Sequence, residues 1–239
     1  MNKPLTLSLL LITLLLTACG TQAAPAASAT EEPAPISEAV SPATVVSSLP
    51  TASPAQTYLD GLLYMREEEK LARDVYLFLY DRWGVQVFQN IASSEQAHTD
   101  AVKTLLDAYG LTDPAASTQP GEFVNPDLQA LYNQLTAQDS LSLTDALKVG
   151  AAIEEIDILD LQQHLAASLP DDIRLVYENL LSGSYNHLAA FTSTLERQTG
   201  EVYTPQYLSL EAYQSALDQA ARGGNGGGNG GGNGQGSQP

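Results

Sequence analysis

A chain of 239 residues with a formal charge of −18 is long enough for one or two domains. Its charge excludes attraction to nucleic acid or to anionic lipid surfaces. A single cysteine excludes a disulfide framework or a zinc ribbon. The acidity is compatible with cation attraction, but many exported proteins are simply acidic.

The chain begins Met1-Asn2-Lys3, continues through an apolar run from Leu5 to Leu16, and reaches Thr17-Ala18-Cys19-Gly20. One positive charge, a short apolar core and small residues before a cleavage point predict a secretory signal over residues 1–18. The run is shorter than the roughly 20 residues that a transmembrane helix needs. Leu16-Thr17-Ala18-Cys19 resembles the lipobox of bacterial lipoproteins. The resemblance implies lipid on Cys19 and an exported chain anchored to a membrane, at the periplasmic face or the cell surface. More than one acyl chain gives stable anchoring where a single one is marginal. Residues 19–56 are rich in Ala, Pro, Ser and Thr and read as a flexible tether that cannot bury enough surface to offset its ordering entropy.

Four stretches with helical periodicity follow, at about residues 58–83, 87–109, 143–167 and 171–198. The first has a seam of Leu62, Met65, Glu69, Ala72, Tyr76, Leu79 and Trp83, spaced alternately by three and four as one helical face requires. The second gives Phe88, Ile91, Glu95, His98, Val102, Leu105 and Tyr109. The third gives Leu143, Leu147, Gly150, Glu154, Asp157, Leu161 and His164. The fourth gives Ile173, Tyr177, Leu180, Ser184, His187, Phe191 and Thr194. Shifting the first seam to Glu68 brings Gly61 and Arg82 onto it, and shifting the third to Glu155 brings Lys148 and Gln162. Both are poorer cores, so Glu69 and Glu154 are the expected inward acids. Glu67 and Glu68 are expected on the surface, with Glu67 set to pair with Arg66 or Lys70. Short links predict antiparallel neighbours for the first pair and the last pair. Residues 111–141, with Pro114, Pro120, Gly121 and Pro126, form an unusually long connection between them, with a short helix expected over 127–135. Residues 201–222 read as a short helical extension, and the Gly/Asn-rich tail 223–239 as disordered low complexity.

Polar residues able to bind metal interrupt each apolar seam near its middle. Charged side chains are seldom buried unless they are paired or bound to metal. In ferritin-like di-iron carboxylate bundles two helices each give a Glu, and the other two each give a Glu-x-x-His pair whose side chains share one face. Here Glu95 and His98 form such a pair. Glu69, Glu154, Asp157 and His187 complete a candidate ligand set of four carboxylates and two imidazoles. The fourth helix departs from the pattern, with Ser184 three residues before His187. Tyr76, Asp160 and Ser184 are candidate supporting residues behind the ligands. His164, about 10 Å along the helix from Asp157, reads as structural or exposed, and Tyr76 and Tyr177 chiefly as core.

The string Glu69-Lys70-Leu71-Ala72-Arg73-Asp74-Val75-Tyr76 resembles the first-helix motif of rubrerythrins, and Asp157 is similar to the second acid of their third helix. With the blocks 66–76, 91–98 and 184–188, the stretch from Met65 to about Leu195 also resembles an uncharacterised bacterial and archaeal family of the ferritin-like superfamily. These resemblances imply an all-α, antiparallel four-helix bundle with a long crossover between its second and third helices. They also imply a centre of two iron ions, or manganese, performing ferroxidase or peroxidase chemistry. Without a second cysteine, any electron donor is a separate molecule. The partners expected are the membrane, that donor and a second copy of the chain in a homodimer, with no nucleic acid. Two other readings stay open: a lipoprotein that captures metal without turnover, and a metal-free interaction module.

Overall fold

The computed structural model describes residues 54–136 and 142–224. The expected signal peptide, Cys19, the tether through residue 53 and the tail from residue 225 lie outside the described residues, whereas residues 54–56 of the expected tether and 223–224 of the expected disordered tail are helical. Among the described residues six helices make up the regular structure: α1 (Pro54–Trp83), α2 (Gln86–Ala108), α3 (Pro126–Thr136), α4 (Leu143–Leu165), α5 (Asp171–Thr199) and α6 (Leu210–Gly224). No strand occurs among the described residues.

Local chemistry sets the helix ends. α1 opens on Pro54, where a missing N–H is harmless because the first turn has no partner for it. It stops at Gly84, whose left-handed φ of 64° lets its N–H return to Tyr80 O at 2.7 Å, a turn that a Cβ would disfavour. Ser142 caps α4 in a reciprocal box with Asp145, satisfying free amides of the first turn. α5 carries Asp171 and Asp172 in its first turn, where carboxylates favour the positive end of the helix dipole.

The four long helices pack α1 on α2, α4 on α5, α2 against α5 and α1 against α4. Cross-helix bonds give the directions. Tyr64 meets Asp160 and Tyr76 meets Glu154, so α1 and α4 are antiparallel. Ser94 meets His187 and Tyr109 meets Asp172, so α2 and α5 are antiparallel as well. α2 and α4 therefore run the same way, and the connection between them must travel back along the helices. α3 packs on α1 within that return.

The apolar interior forms two clusters. One holds Leu62 and Met65 of α1, Val102 and Leu105 of α2, Leu161 of α4, and Ile173, Tyr177 and Leu180 of α5. The other holds Tyr76 and Leu79, Phe88 and Ile91, Leu147 and Ala151, and Phe191 and Leu195 from the same four helices. In each helix the candidate ligands fall between the two sets.

Two expectations for α1 are corrected. Glu67 and Glu68 are buried, at 3% and 6% exposure, because the crossover and α4 cover the face expected to meet water. Glu67 pairs with neither Arg66 nor Lys70. Its two oxygens accept the backbone N–H groups of Val124 and Asn125 at 2.5 and 2.9 Å. Arg66 instead bonds Asp113 through two nitrogens, each at 3.0 Å, and Thr99. Lys70 bonds Asp74 and the carbonyls of Gln119 and Glu122. A comparable clamp holds the far end of the chain. Glu155, wholly buried, accepts from Tyr203 Oη and from the backbone N–H groups of Gln206, Tyr207 and Leu208. α6 packs on α5, and Tyr203, Leu208, Tyr213 and Ala216 join the core. The segment expected as an extension is thus part of the packed unit.

Candidate metal centre

Between the two apolar clusters the helices present Glu69 from α1, Glu95 and His98 from α2, Glu154 and Asp157 from α4, and Ser184 and His187 from α5. All are buried except His98, which is partly so. The i, i+3 spacing puts Glu95 with His98, Glu154 with Asp157 and Ser184 with His187 on single helical faces.

Glu95 is central. Its Oε2 lies 2.8 Å from His98 Nδ1, and its Oε1 lies 2.8 Å from His187 Nδ1. Glu69 Oε2 approaches His98 Nδ1 at 3.3 Å, and Glu154 Oε2 approaches His187 Nδ1 at 3.5 Å. The two imidazoles stack at 5.4 Å between centroids, inclined by 28°. Ligand atoms of Glu95, His98 and His187 all lie within 4.8 Å of one another, a grouping compatible with donors around a common ion. Asp157 stands to the side, its Oδ2 against Ser184 Oγ, whose single O–H is shared between that carboxylate and Leu180 O.

The structure also places the supporting residues. Tyr76 donates to Glu154 Oε1 at 2.6 Å, Ser184 to Asp157, and Tyr64 to Asp160 Oδ2 at 3.1 Å. His187 Nε2 reaches Ser94 Oγ at 2.9 Å, so its other nitrogen faces the acids. His164 packs at a tilt against Tyr177 and lies over Gly61, a packing position where burial lowers its pKa and Asp160 acts against that.

Charges follow from this crowding. Considering the chain's own groups alone, burial disfavours the cationic form of both histidines, but the facing carboxylates outweigh it. His98 is pushed up to about 11 by Glu69 and Glu95, and His187 to about 10 by Glu154 and Glu95. Burial raises Glu95, yet His187 and His98 overcome it and hold its carboxyl well below the usual range. The outer acids go the other way. Burial, with Glu154 next, lifts Asp157 to about 8. Burial and Asp157 raise Glu69, and burial raises Glu154. Two imidazolium charges do not balance the buried acids, so the fold favours protons on some of them.

Hydrogen bonding is incomplete in the same place. Glu69 Oε1, Asp157 Oδ1 and His187 Nδ1 are buried without a hydrogen-bond partner; the 2.8 Å approach of Glu95 to His187 Nδ1 lacks the alignment of a hydrogen bond. Glu68 Oε2 and Tyr177 Oη are also unpartnered. Buried polar atoms without partners are rare, and an ion is one explanation for them. Two carboxylates with open oxygens, Glu69 and Asp157, beside a carboxylate already shared by two histidines, suit a divalent cation of the iron or manganese type.

Sequence reasoning missed Glu68, Ser94 and Gly183. A Cβ on Gly183 would stand 2.6 Å from His98 Cε1 and Nε2, so this glycine makes the room that His98 occupies. A glycine inside a long helix costs about 1 kcal/mol relative to alanine, and that cost was the available signal. Glu68 and Ser94 carried none, because a second polar face on an amphipathic helix ordinarily meets water.

Residues 58–220 match the family described as "Uncharacterized protein domain (DUF2202)". The chain is 48% identical over 179 residues to the uncharacterized protein MJ0754 of Methanocaldococcus jannaschii, a match covering 75% of this chain and 96% of the relative. It is also similar to the crystal structure titled as that hypothetical protein, with a TM-score of 0.66 and 49% identity over 72% of this chain and 98% of the other.

Proposed function

For this chain, which belongs to the DUF2202 family, we propose a ferritin-like four-helix bundle that holds a dinuclear iron centre, manganese being the other metal suited to the donors. The observation that carries this reading is the unfinished bonding around Glu95. Two histidines from different helices converge on one carboxylate, and neighbouring oxygens of Glu69 and Asp157 have no hydrogen-bond partner. Glu69, Glu95, His98, Glu154, Asp157 and His187 are the residues that would hold the metal pair. Bound there, an iron pair supplies the redox chemistry by which Fe(II) is oxidised or peroxide and dioxygen are reduced.

The residues around these donors orient them. Tyr76 leaves Glu154 Oε2 facing His187 by engaging Oε1. Ser184 does the same for Asp157, leaving Oδ1 open. Ser94 occupies His187 Nε2, so Nδ1 is the nitrogen presented inward. The apolar clusters on both sides keep bulk water from the layer. With one cysteine, expected to carry lipid, the chain supplies no thiol ligand for an electron-transfer centre of its own. The reductant is therefore Fe(II) itself or a separate donor. We further propose that lipid on Cys19 anchors the exported protein to a membrane, at the periplasmic face or the cell surface.

The test is metal content of the full chain after exposure to Fe(II), beside a Glu95→Ala/His98→Ala variant. About two irons per chain, absent from the folded variant, is the expected result, as the carboxylate bundle pattern requires. Folded wild-type protein that takes up neither Fe(II) nor Mn(II) would overturn the reading. Oxygen or peroxide consumption on adding Fe(II) then separates turnover from capture.

A further inference from the structure

The two histidines of the centre occupy matched places and have different surroundings. Across the antiparallel seam of α2 and α5, Ser94-Glu95-x-x-His98 faces Gly183-Ser184-x-x-His187. Residues at i and i+4 share a helical face, so each imidazole meets the residue four places before the other. His187 meets Ser94, whose Oγ lies 2.9 Å from its Nε2. His98 meets Gly183, which has no side chain to offer.

That second contact is close. A Cβ on Gly183 would stand 2.6 Å from both Cε1 and Nε2 of His98, and 3.8 Å from Cε1 of His187. The Nδ1 of His98 is turned to Glu95 and Glu69, which leaves Nε2 on the far edge of the ring, against the bare backbone of α5. Among the described residues this Nε2 has no bonded partner, yet it is not one of the sealed orphan atoms of the layer, so it meets water. The His98 side chain is 14% exposed, against 9% for His187 and 3% or less for Glu69, Glu95 and Glu154. Gly183 beside it is partly exposed as well. The other sides of the layer are shut. Apolar clusters close it at both ends, and towards α1 and α4 the buried Tyr76 and Glu154 are bonded to each other.

We propose that small molecules reach the metal pair at the α2–α5 seam, past His98, and that Gly183 sets the size limit there, admitting an oxidant no larger than dioxygen or hydrogen peroxide. The proposal rests on the dinuclear reading above and adds the face at which its oxidant arrives. Ser94 fixes the outer nitrogen of His187, and nothing on α5 does the same for His98. The room is that of one missing Cβ, so it suits a molecule of that size and would be closed by a methyl group in a packed seam.

The test has a metal-free and a metal-loaded arm, both on the full chain in detergent. The chain has three histidines, and histidine-selective isotope labelling with His98→Gln and His164→Gln assigns each ring by NMR. In chelator-stripped wild type the His98 Nε2 proton is expected to exchange with water at least roughly tenfold faster than that of His187, which Ser94 holds. In protein saturated with iron and oxidised, azide is the probe, followed by the absorbance of its ferric complex after rapid mixing. Wild type is expected to bind azide, and Gly183→Ala, compared at full metal occupancy, to bind it at least roughly tenfold more slowly. Equal exchange of the two ring protons, loaded wild type that takes up no azide, or Gly183→Ala that binds it at the wild-type rate would each overturn the entry face alone. If Gly183→Ala does not fold by circular dichroism, the exchange comparison in wild type decides. Folded wild type that loads neither iron nor manganese would remove the dinuclear reading and the entry face with it, an outcome told apart by the metal assay.

Discussion

Glu154 and Glu155 are neighbours on α4, both buried, and their surroundings could hardly differ more. Glu155 accepts from one phenol and three successive backbone amides of the segment before α6. Glu67, with two amides of the crossover, is of the same kind. Glu154 faces His187 and Glu95, in a layer where Glu69, Asp157 and His187 keep unpartnered atoms. Burial alone therefore does not mark a functional acid. A carboxylate whose lone pairs are all bonded ties loops to helices. One with open lone pairs among like charges is strained unless a cation arrives.

The contrast can be broken most sharply at Glu155. Glu155→Ala strands three backbone N–H groups and a phenol, and is expected to cost about 3–5 kcal/mol, read from urea unfolding. Metal bound per folded chain should stay at the wild-type level. Loss of metal with stability retained would put Glu155 in the centre rather than the clamp.

Asp157 should behave oppositely. Its folded value near 8 lies above the unfolded one of 3.8, so the fold favours the protonated form. That preference weakens stability as pH rises from about 4 to about 8. His98 and His187, raised to about 11 and 10, stabilise the fold fully below about 6.5, and that contribution fades as pH climbs through their folded values. Glu95, held low, works the other way only below about pH 4. Melting temperature in chelator is thus expected to fall between pH 5 and 9. Metal should reverse that slope, since it displaces the protons. Asp157→Asn is expected to gain roughly 2 kcal/mol over wild type at pH 9 in chelator while weakening metal binding. A flat profile would show that water, not strain, meets these acids.

Smaller effects test the supports. Tyr76→Phe removes the donor to Glu154 Oε1 and is expected to lower metal affinity about 10-fold or more, with stability down about 1 kcal/mol. Gly183→Ala presses on His98 and should weaken metal binding a few-fold, although alanine is the better helix former by about 1 kcal/mol. Unchanged affinity in Gly183→Ala would mean that His98 is free to move aside.

The four long helices, the short helix in the crossover and the inward set of Glu69, Glu95, His98, Glu154, Asp157 and His187 were legible in the sequence. Apolar spacing names the face of a helix that turns inward, and a charged residue on that face is conspicuous. Spacing could not show what covers the opposite face. Glu67 and Glu68 looked like solvated acids, and Glu155 was passed over, because each sits off its helix's best seam; the crossover and α4 over α1, and the segment before α6 on Glu155, bury them. Which acids end with every lone pair bonded and which stay open is a matter of long-range contact, 57 residues apart for Glu67 and Val124 and 48 for Glu155 and Tyr203. One-dimensional periodicity carries no term for such contacts. The sequence by itself thus determined the seam of each helix that carries the metal-capable side chains. The tertiary structure decided which buried charges are satisfied, because satisfaction depends on donors that the chain brings from far away.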